Sequence, residues 1–274
     1  MLGGFPGVPA RRSTVLAVGD RIDRRALLRA GGLLTLGGVL AACTGDAPPP
    51  VRRSAPSTTA AAPTPSAVGL LDQAGTCTLT PETIAGPTWF DAAAVRSDIR
   101  DGRPGVPLEL GFRIEKAAGC TPIPNAVVDL WQCDALGVYS GFVQAKPGQG
   151  GSPGGKDRYG DAEAAPTDAD RWLRGTQVTD PTGVVTFRSI YPGWYPTRTA
   201  HLHLKVHLDG STVLTTQLFF DDAVSDAVYA DDPYRQHPGR DTRNARDAFY
   251  KPTAQLHLAQ GGGGWLGASV LAVR

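Results

Sequence analysis

Residues 192–208 read PGWYPTRTAHLHLKVHL. From His201 onward the run alternates strictly, with His201, His203, Lys205 and His207 against Leu202, Leu204, Val206 and Leu208. A period of two is the signature of a strand with one apolar and one polar face. Two readings of the polar face stand open at this point. It is a solvated surface, or it is a metal site in which His201 and His203, about 7 Å apart on one strand face, converge on an ion. His207 lies past that pair and is expected to be exposed.

The rest of the chain extends the β pattern. STVLTTQLFF (211–220) supplies another strand, and VPLELGFRIEKAAGC (106–120) has β-type alternation ending at a Gly-Cys turn. NAVVDLWQCDALGVYSGF (125–142) reads as strand, turn and strand about Asp134-Ala135-Leu136-Gly137. GTQVTDPTGVVTFRSI (175–190) repeats the device with Asp180-Pro181-Thr182-Gly183. In each, glycine suits the positive-φ position of a hairpin turn. AQLHLAQ and WLGASVLAVR close the chain as a last pair. This spacing predicts an all-β antiparallel β-sandwich of the prealbumin or immunoglobulin kind. Residues 144–171, rich in Gly, Pro and Asp, predict a functional loop over a site. Residues 221–250, dense in Asp and Arg, predict a short helix within irregular chain.

The 27 basic and 26 acidic residues nearly cancel, so no basic excess argues for a nucleic-acid partner. The N-terminus reads as a targeting segment. Arg24 and Arg25, then Arg29, precede an uncharged run from Ala30 to Ala42 that is too short to span a bilayer but suits a signal h-region. It resembles a twin-arginine export signal ending in the lipoprotein box Leu40-Ala41-Ala42-Cys43, with residues 1–20 ahead of the usual start. The expected layout is a signal peptide over 1–42, a Pro/Ala/Ser/Thr-rich disordered tether over 43–75, and a folded domain over 76–274. Cys43 would carry the lipid, placing the domain on the outer side of a bacterial cytoplasmic membrane. An exported protein can keep disulfides. Thirteen residues of mostly strand hold Cys120 and Cys133 apart, so Cys77–Cys120 is the expected bridge, with Cys133 a buried thiol.

Tyr139, just past the first Asp-x-x-Gly turn, shifts the balance toward a metal site without settling it. WQCDALGVYSGF together with YPGWYPTRTAHLHLKV resembles the intradiol ring-cleavage dioxygenases, the family of catechol, hydroxyquinol and protocatechuate dioxygenases, and most resembles their exported bacterial branch. The resemblance runs from CTLTPETIAGP to the last strand; GPTWF (86–90) departs from it, since the family more often has an aromatic directly after Gly-Pro. It implies one non-haem Fe(III) per chain, held by Tyr139, Tyr195, His201 and His203. It further implies a catechol-type substrate, O2 as co-substrate, Tyr195 as the displaceable ligand, Arg198 facing the substrate, and Gln217 on the oxygen side. A homo-oligomer is left open. Phenolate and imidazole donors suit a ferric ion better than a thiolate-loving metal. Trp131 and Trp194 are expected as core or pocket-wall aromatics, and Tyr159 with its neighbouring carboxylates as a solvated loop. The rival reading is a sandwich module for binding or display, which has no reason to keep four ligands and Arg198.

Overall fold

The computed structural model describes residues 65–75 and 78–274. Strands form where the alternation is strict. In chain order they are β1 (Pro107–Lys116), β2 (Thr121–Pro122), β3 (Val127–Trp131), β4 (Pro153–Lys156), β5 (Ala162–Ala164), β6 (Arg174–Val178), β7 (Val184–Ile190), β8 (His201–Leu208), β9 (Ser211–Phe219), β10 (His257–Gly261) and β11 (Gly264–Val273). One α-helix, α1 (Asp222–Tyr229), lies in the Asp/Arg-rich segment, with its first turn capped by the Asp221 carboxylate on the Ala223 and Val224 amides. Among the described residues no helix is long and apolar enough to cross a membrane.

Two sheets face one another. One runs β10-β11-β1-β2, with β7 also on β1; the other runs β6-β3-β8-β9. Between them Leu110, Phe112 and Ile114 of β1 and Phe187 of β7 meet Val128 and Leu130 of β3 and Leu202, Leu204 and Val206 of β8 in one core. The β8–β9 hairpin turns on Asp209 and Gly210, both at positive φ (48° and 76°), as a two-residue turn matched to strand twist requires.

The structure corrects four expectations. The sandwich is not wholly antiparallel, because β11 runs parallel to β1, with Leu108 opposite Trp265 through Lys116 opposite Val273. β11 is apolar along most of its length because both its faces are covered. Leu271 and Val273 enter the main core, while Leu266 and Ala268 meet Ala67, Leu70 and Leu71. Those three residues also move the domain boundary. The segment Val68–Gln73 is a 3-10 helix packed on β1 and β11, and Ala67 N donates to Glu109 Oε1 at 3.0 Å. Residues 67–73, expected as part of a disordered tether, are thus folded onto the domain; residues 1–64, with Cys43, and residues 76 and 77 lie outside the described residues.

Neither Asp-x-x-Gly turn makes a hairpin. β6 pairs with β3 and β7 with β1, so Asp180–Gly183 passes the chain from one sheet to the other. Gly183 sits against β1, accepting from Ile114 N at 2.8 Å, and a Cβ there would meet Ile114 O at 2.7 Å. After Asp134–Gly137 the expected second strand is absent. The chain curls instead, with Phe142 N donating to Tyr139 O at 3.1 Å and Gly141 at φ 82°.

The fourth correction concerns the polar face of β8. His201, His203, Lys205 and His207 are all 1–2% exposed, so this face is buried under loops, chiefly residues 144–171. Lys205 Nζ pairs with Asp161 and, at 3.5 Å, with Asp157. His207, expected at the surface, bonds Asp129 Oδ2 at 2.8 Å and Thr212 Oγ1 at 2.9 Å, and Tyr159 stacks on its ring at 3.6 Å. Tyr159, Asp157 and Asp161 are thus the cover of that face rather than a solvated loop. A buried ammonium needs carboxylate partners, and β4, β5 and their turn deliver them.

Candidate metal centre

Each donor of the expected cluster arrives by a different device. His201 and His203 share one face of β8, where strand spacing alone sets them side by side. Tyr195 begins the turn Tyr195-Pro196-Thr197-Arg198, closed by Arg198 N donating to Tyr195 O at 2.9 Å. Pro196 and then Thr197 at φ 72° give this turn the type II pattern. Tyr139 sits in the curl after β3. That curl is pinned by buried Arg174, whose Nε donates to Ser140 Oγ at 3.0 Å and Nη2 to Ser140 O at 2.9 Å.

The four donor atoms converge. His201 Nε2 lies 3.1 Å from His203 Nε2, 3.1 Å from Tyr195 Oη and 3.4 Å from Tyr139 Oη. Tyr139 Oη is 3.1 Å from His203 Nε2 and 3.5 Å from Tyr195 Oη. A point central to corners spaced this way lies about 2 Å from each, a metal-to-nitrogen or metal-to-oxygen bond length. His201 Nδ1 donates to Thr199 O at 2.7 Å, which leaves the Nε2 lone pair directed into the cluster. Among the described residues no group of three or more His, Cys, Asp or Glu is placed to hold a metal. The cluster is a candidate because two of its four donors are phenols.

Burial controls the ionisation of these groups. Desolvation holds both imidazoles well below their usual range, with Arg198 adding to the effect at His201, and His201 and then Arg198 at His203. Both rings are therefore neutral, as ligands must be. Burial drives the Tyr139 phenol well above its usual value and Tyr195 up to about 12, the latter opposed by Arg198. Only a multiply charged cation would hold two such phenols deprotonated at neutral pH. The donor types and their convergence fit a ferric ion.

The walls explain why the cluster keeps its shape. Trp131 stacks on His203 (centroids 4.8 Å, planes 14° apart), and Trp89 packs on Trp131 at 4.6 Å. Main chain of the 144–171 loop lies directly on Tyr195, since a Cβ at Gly148 would sit 2.0 Å from its Cδ2. Tyr139, His201 and His203 are 1–2% exposed, whereas Tyr195 is 8% and the Arg198 side chain 12% exposed, so approach is from the Tyr195–Arg198 side. A cleft of about 280 Å³ lined by Arg100, Glu109, Arg188 and Trp265 involves none of these residues.

Arg198 Nη1 is 3.4 Å from Tyr195 Oη, and its Nη2 donates to Gln217 Oε1. Gln217 Nε2 donates to Ile84 O at 3.0 Å, so both ends of that amide are engaged on protein. Gln217 therefore braces Arg198. Asp247 and Thr199 escape the sequence reading. Asp247 Oδ2 accepts from Arg198 Nε at 2.9 Å and from Thr199 N at 3.0 Å, and Asp247 itself lies in the irregular Asp/Arg-rich segment, where no periodic signal marks it. Trp194 is a wall residue, donating from Nε1 to His237 O at 3.1 Å. Cys133 is a free buried thiol and Cys120 is disulfide-bonded; the expected partner Cys77 lies outside the described residues.

A β-sandwich with a buried two-tyrosine, two-histidine cluster defines a narrow class, and comparison with known proteins agrees. No family model matches the chain. An intradiol ring-cleavage dioxygenase from Tetranychus urticae superposes with a TM-score of 0.63 at 32% identity, over 72% of this chain and 95% of that one. The dioxygenase domain of a dioxygenase–carbohydrate-binding fusion from Streptomyces sp. SirexAA-E matches at 28% identity, TM-score 0.51, over 72% of this chain and all of that one. Catechol 1,2-dioxygenase 2 of Acinetobacter lwoffii is 29% identical over 164 residues, 52% of this chain and 51% of that protein. The chain spans about half the length of the curated relatives it matches. It belongs to the intradiol ring-cleavage dioxygenases.

Proposed function

We propose that this chain is a non-haem Fe(III)-dependent dioxygenase that opens a catechol-type ring between its two hydroxyl-bearing carbons, consuming O2 and giving a muconate-type diacid. The observation that carries the reading is the convergence of Tyr139 Oη, Tyr195 Oη, His201 Nε2 and His203 Nε2 at 3.1–3.5 Å. The names of the relatives supply the substrate class. When bound, a ferric ion would draw electron density from a chelating catecholate and make the ring reactive toward dioxygen.

The chain's own residues prepare and steer that chemistry. Tyr139, His201 and His203 are the fixed ligands, held by the Ser140–Arg174 bonds, the Thr199 carbonyl and the Trp131 stack. Tyr195 is the most exposed of the four and starts a turn, so its ring can withdraw with little movement of the sheet. Were bound iron to hold it as a phenolate, its Oη would be placed to accept one proton from an arriving diol on withdrawing. Arg198 Nη1, already beside that oxygen, then donates to negative charge developing on the substrate, a preorganised contact that needs no rearrangement. Trp131, Trp89 and the 144–171 loop exclude water from the fixed ligands.

The test is oxygen uptake by iron-loaded protein with a panel of catechols. The reading requires one O2 consumed per ring opened, and a diacid product carrying both atoms of isotopically labelled O2. No uptake with any catechol would leave the binding or display module in its place. We further propose, from the Arg24-Arg25 pair and the Leu40-Ala41-Ala42-Cys43 box alone, that the protein sits outside the cytoplasmic membrane on a lipid attached to Cys43. Cys43→Ser should move it from the detergent phase to the aqueous phase, and equal partitioning of both forms would remove the anchor.

A further inference from the structure

We infer that Asp247 is a positioning residue that sets the Arg198 guanidinium and the His201 imidazole from a single buried carboxylate; the inference rests on the dioxygenase reading above. Its side chain is fully buried. Oδ2 accepts from Arg198 Nε at 2.9 Å and from Thr199 N at 3.0 Å, while Oδ1 accepts from Phe249 N at 3.0 Å. Thr199 passes the constraint on, because its carbonyl accepts from His201 Nδ1 at 2.7 Å. One carboxylate is thus one hydrogen bond from the arginine and, through one residue, fixes the orientation of a ligand histidine. Such outer contacts orient the ring and keep its proton on the far nitrogen.

The guanidinium is a rigid planar fork. Asp247 holds its Nε corner and Gln217 Oε1 takes Nη2, so the direction of Nη1 toward Tyr195 Oη follows without further freedom. Phe249, whose amide the same carboxylate holds, places its ring 4.7 Å from Arg198 Cζ and limits the other face. The segment that carries Asp247 is itself anchored on the site. Arg240 Nη2 donates to Thr199 Oγ1 at 2.6 Å, and Asp241 Oδ1 accepts from Thr197 N at 3.3 Å. Without the carboxylate, Arg198 keeps only a neutral amide partner, and Nη1 loses its fixed direction. The expected consequence falls on turnover rather than on substrate binding or on metal retention.

A double-mutant cycle on iron-loaded protein tests this. Asp247→Asn is expected to bind iron with wild-type stoichiometry and colour, to keep KM within about threefold, and to lose about 10–100-fold in kcat. In an Arg198→Ala background the same change should cost at least about threefold less than in the wild type, because of the two groups it positions only His201 remains. Melting of the iron-free variants provides a second readout, in which Asp247→Asn should destabilise the wild type more than it destabilises Arg198→Ala. If Asn at 247 prevents folding, Asp247→Glu, which keeps the charge and shifts the carboxylate by one methylene, runs the same cycle. Equal losses in both backgrounds, or an unchanged kcat in the single variant, overturn the inference while leaving the dioxygenase reading intact. Wild-type protein that turns over no catechol overturns both.

Discussion

Gly148→Ala is expected to damage the metal centre from outside it. Gly148 has φ 76°, and a Cβ built there lies 2.0 Å from Tyr195 Cδ2 and 2.4 Å from its Cε2. Non-bonded carbons rest about 3.5–4.0 Å apart, so the ring or the loop must move by about 1.5 Å. Alanine in the left-handed region costs about 1–2 kcal/mol. Overpacking a filled site adds about 1–3 kcal/mol. If the loop and ring stay together, the sum is about 2–5 kcal/mol, or a Tm fall of about 4–20 °C at about 2–4 °C per kcal/mol. If Tyr195 retreats instead, most of the overpacking is relieved, but its Oη leaves the other three donors. Thermal melting and the visible spectrum of iron-loaded protein together cover both outcomes. A variant with wild-type Tm and wild-type absorption would refute the claim that the 144–171 loop holds Tyr195 in place.

Three further outcomes follow from the same geometry. Tyr139→Phe, which deletes the donor 3.1 Å from His203 Nε2, should lose bound iron and colour while the purified domain stays folded by circular dichroism. For iron-free protein, buried neutral His201 and His203 set the sign of the pH dependence. Their native pKa values lie below the unfolded value near 6.5, so their contribution is complete above that pH. As pH falls from 7 to 5 the unfolded state takes up protons that the native state refuses, and stability declines by about 1.4 kcal/mol per pH unit per ring once well below about 6.5; a flat Tm over that range would contradict it. Burial raises the Cys133 thiol, so alkylation at neutral pH should require unfolding, and mass spectrometry finding rapid labelling of native protein would count against the buried placement.

How much of this was legible beforehand depended on the range of the signal. The β8 alternation placed His201 and His203 on one face, and the Gly-rich and Asp-rich loop marked the cover. What alternation could not say is that the second face is buried too. That depends on Asp157 and Asp161 meeting Lys205, and on Asp129 meeting His207 from another strand. The two Asp-x-x-Gly turns formed as local structure, but turn chemistry does not specify which sheet receives the next strand. The contact of Gly183 with Ile114, where the chain crosses to the other sheet, is long-range and has no local signature. The ligand set came from resemblance, because a tyrosine after one turn and a tyrosine before a strand have no shared period. Asp247 was invisible for a related reason. Its partners lie on a different element, and a buried carboxylate in an Asp/Arg-rich stretch looks like any solvated one.

The most direct measurement of the central claim is the visible spectrum of the purified, iron-loaded domain, first alone and then with a catechol in the absence of oxygen. Two tyrosinates on one ferric ion should give a red-brown charge-transfer absorption with one iron per chain. Anaerobic catechol should shift that absorption, and admitting oxygen should then discharge it as the ring-opened diacid appears. A colourless domain that binds zinc as readily as iron, and whose spectrum ignores catechol, would contradict the account.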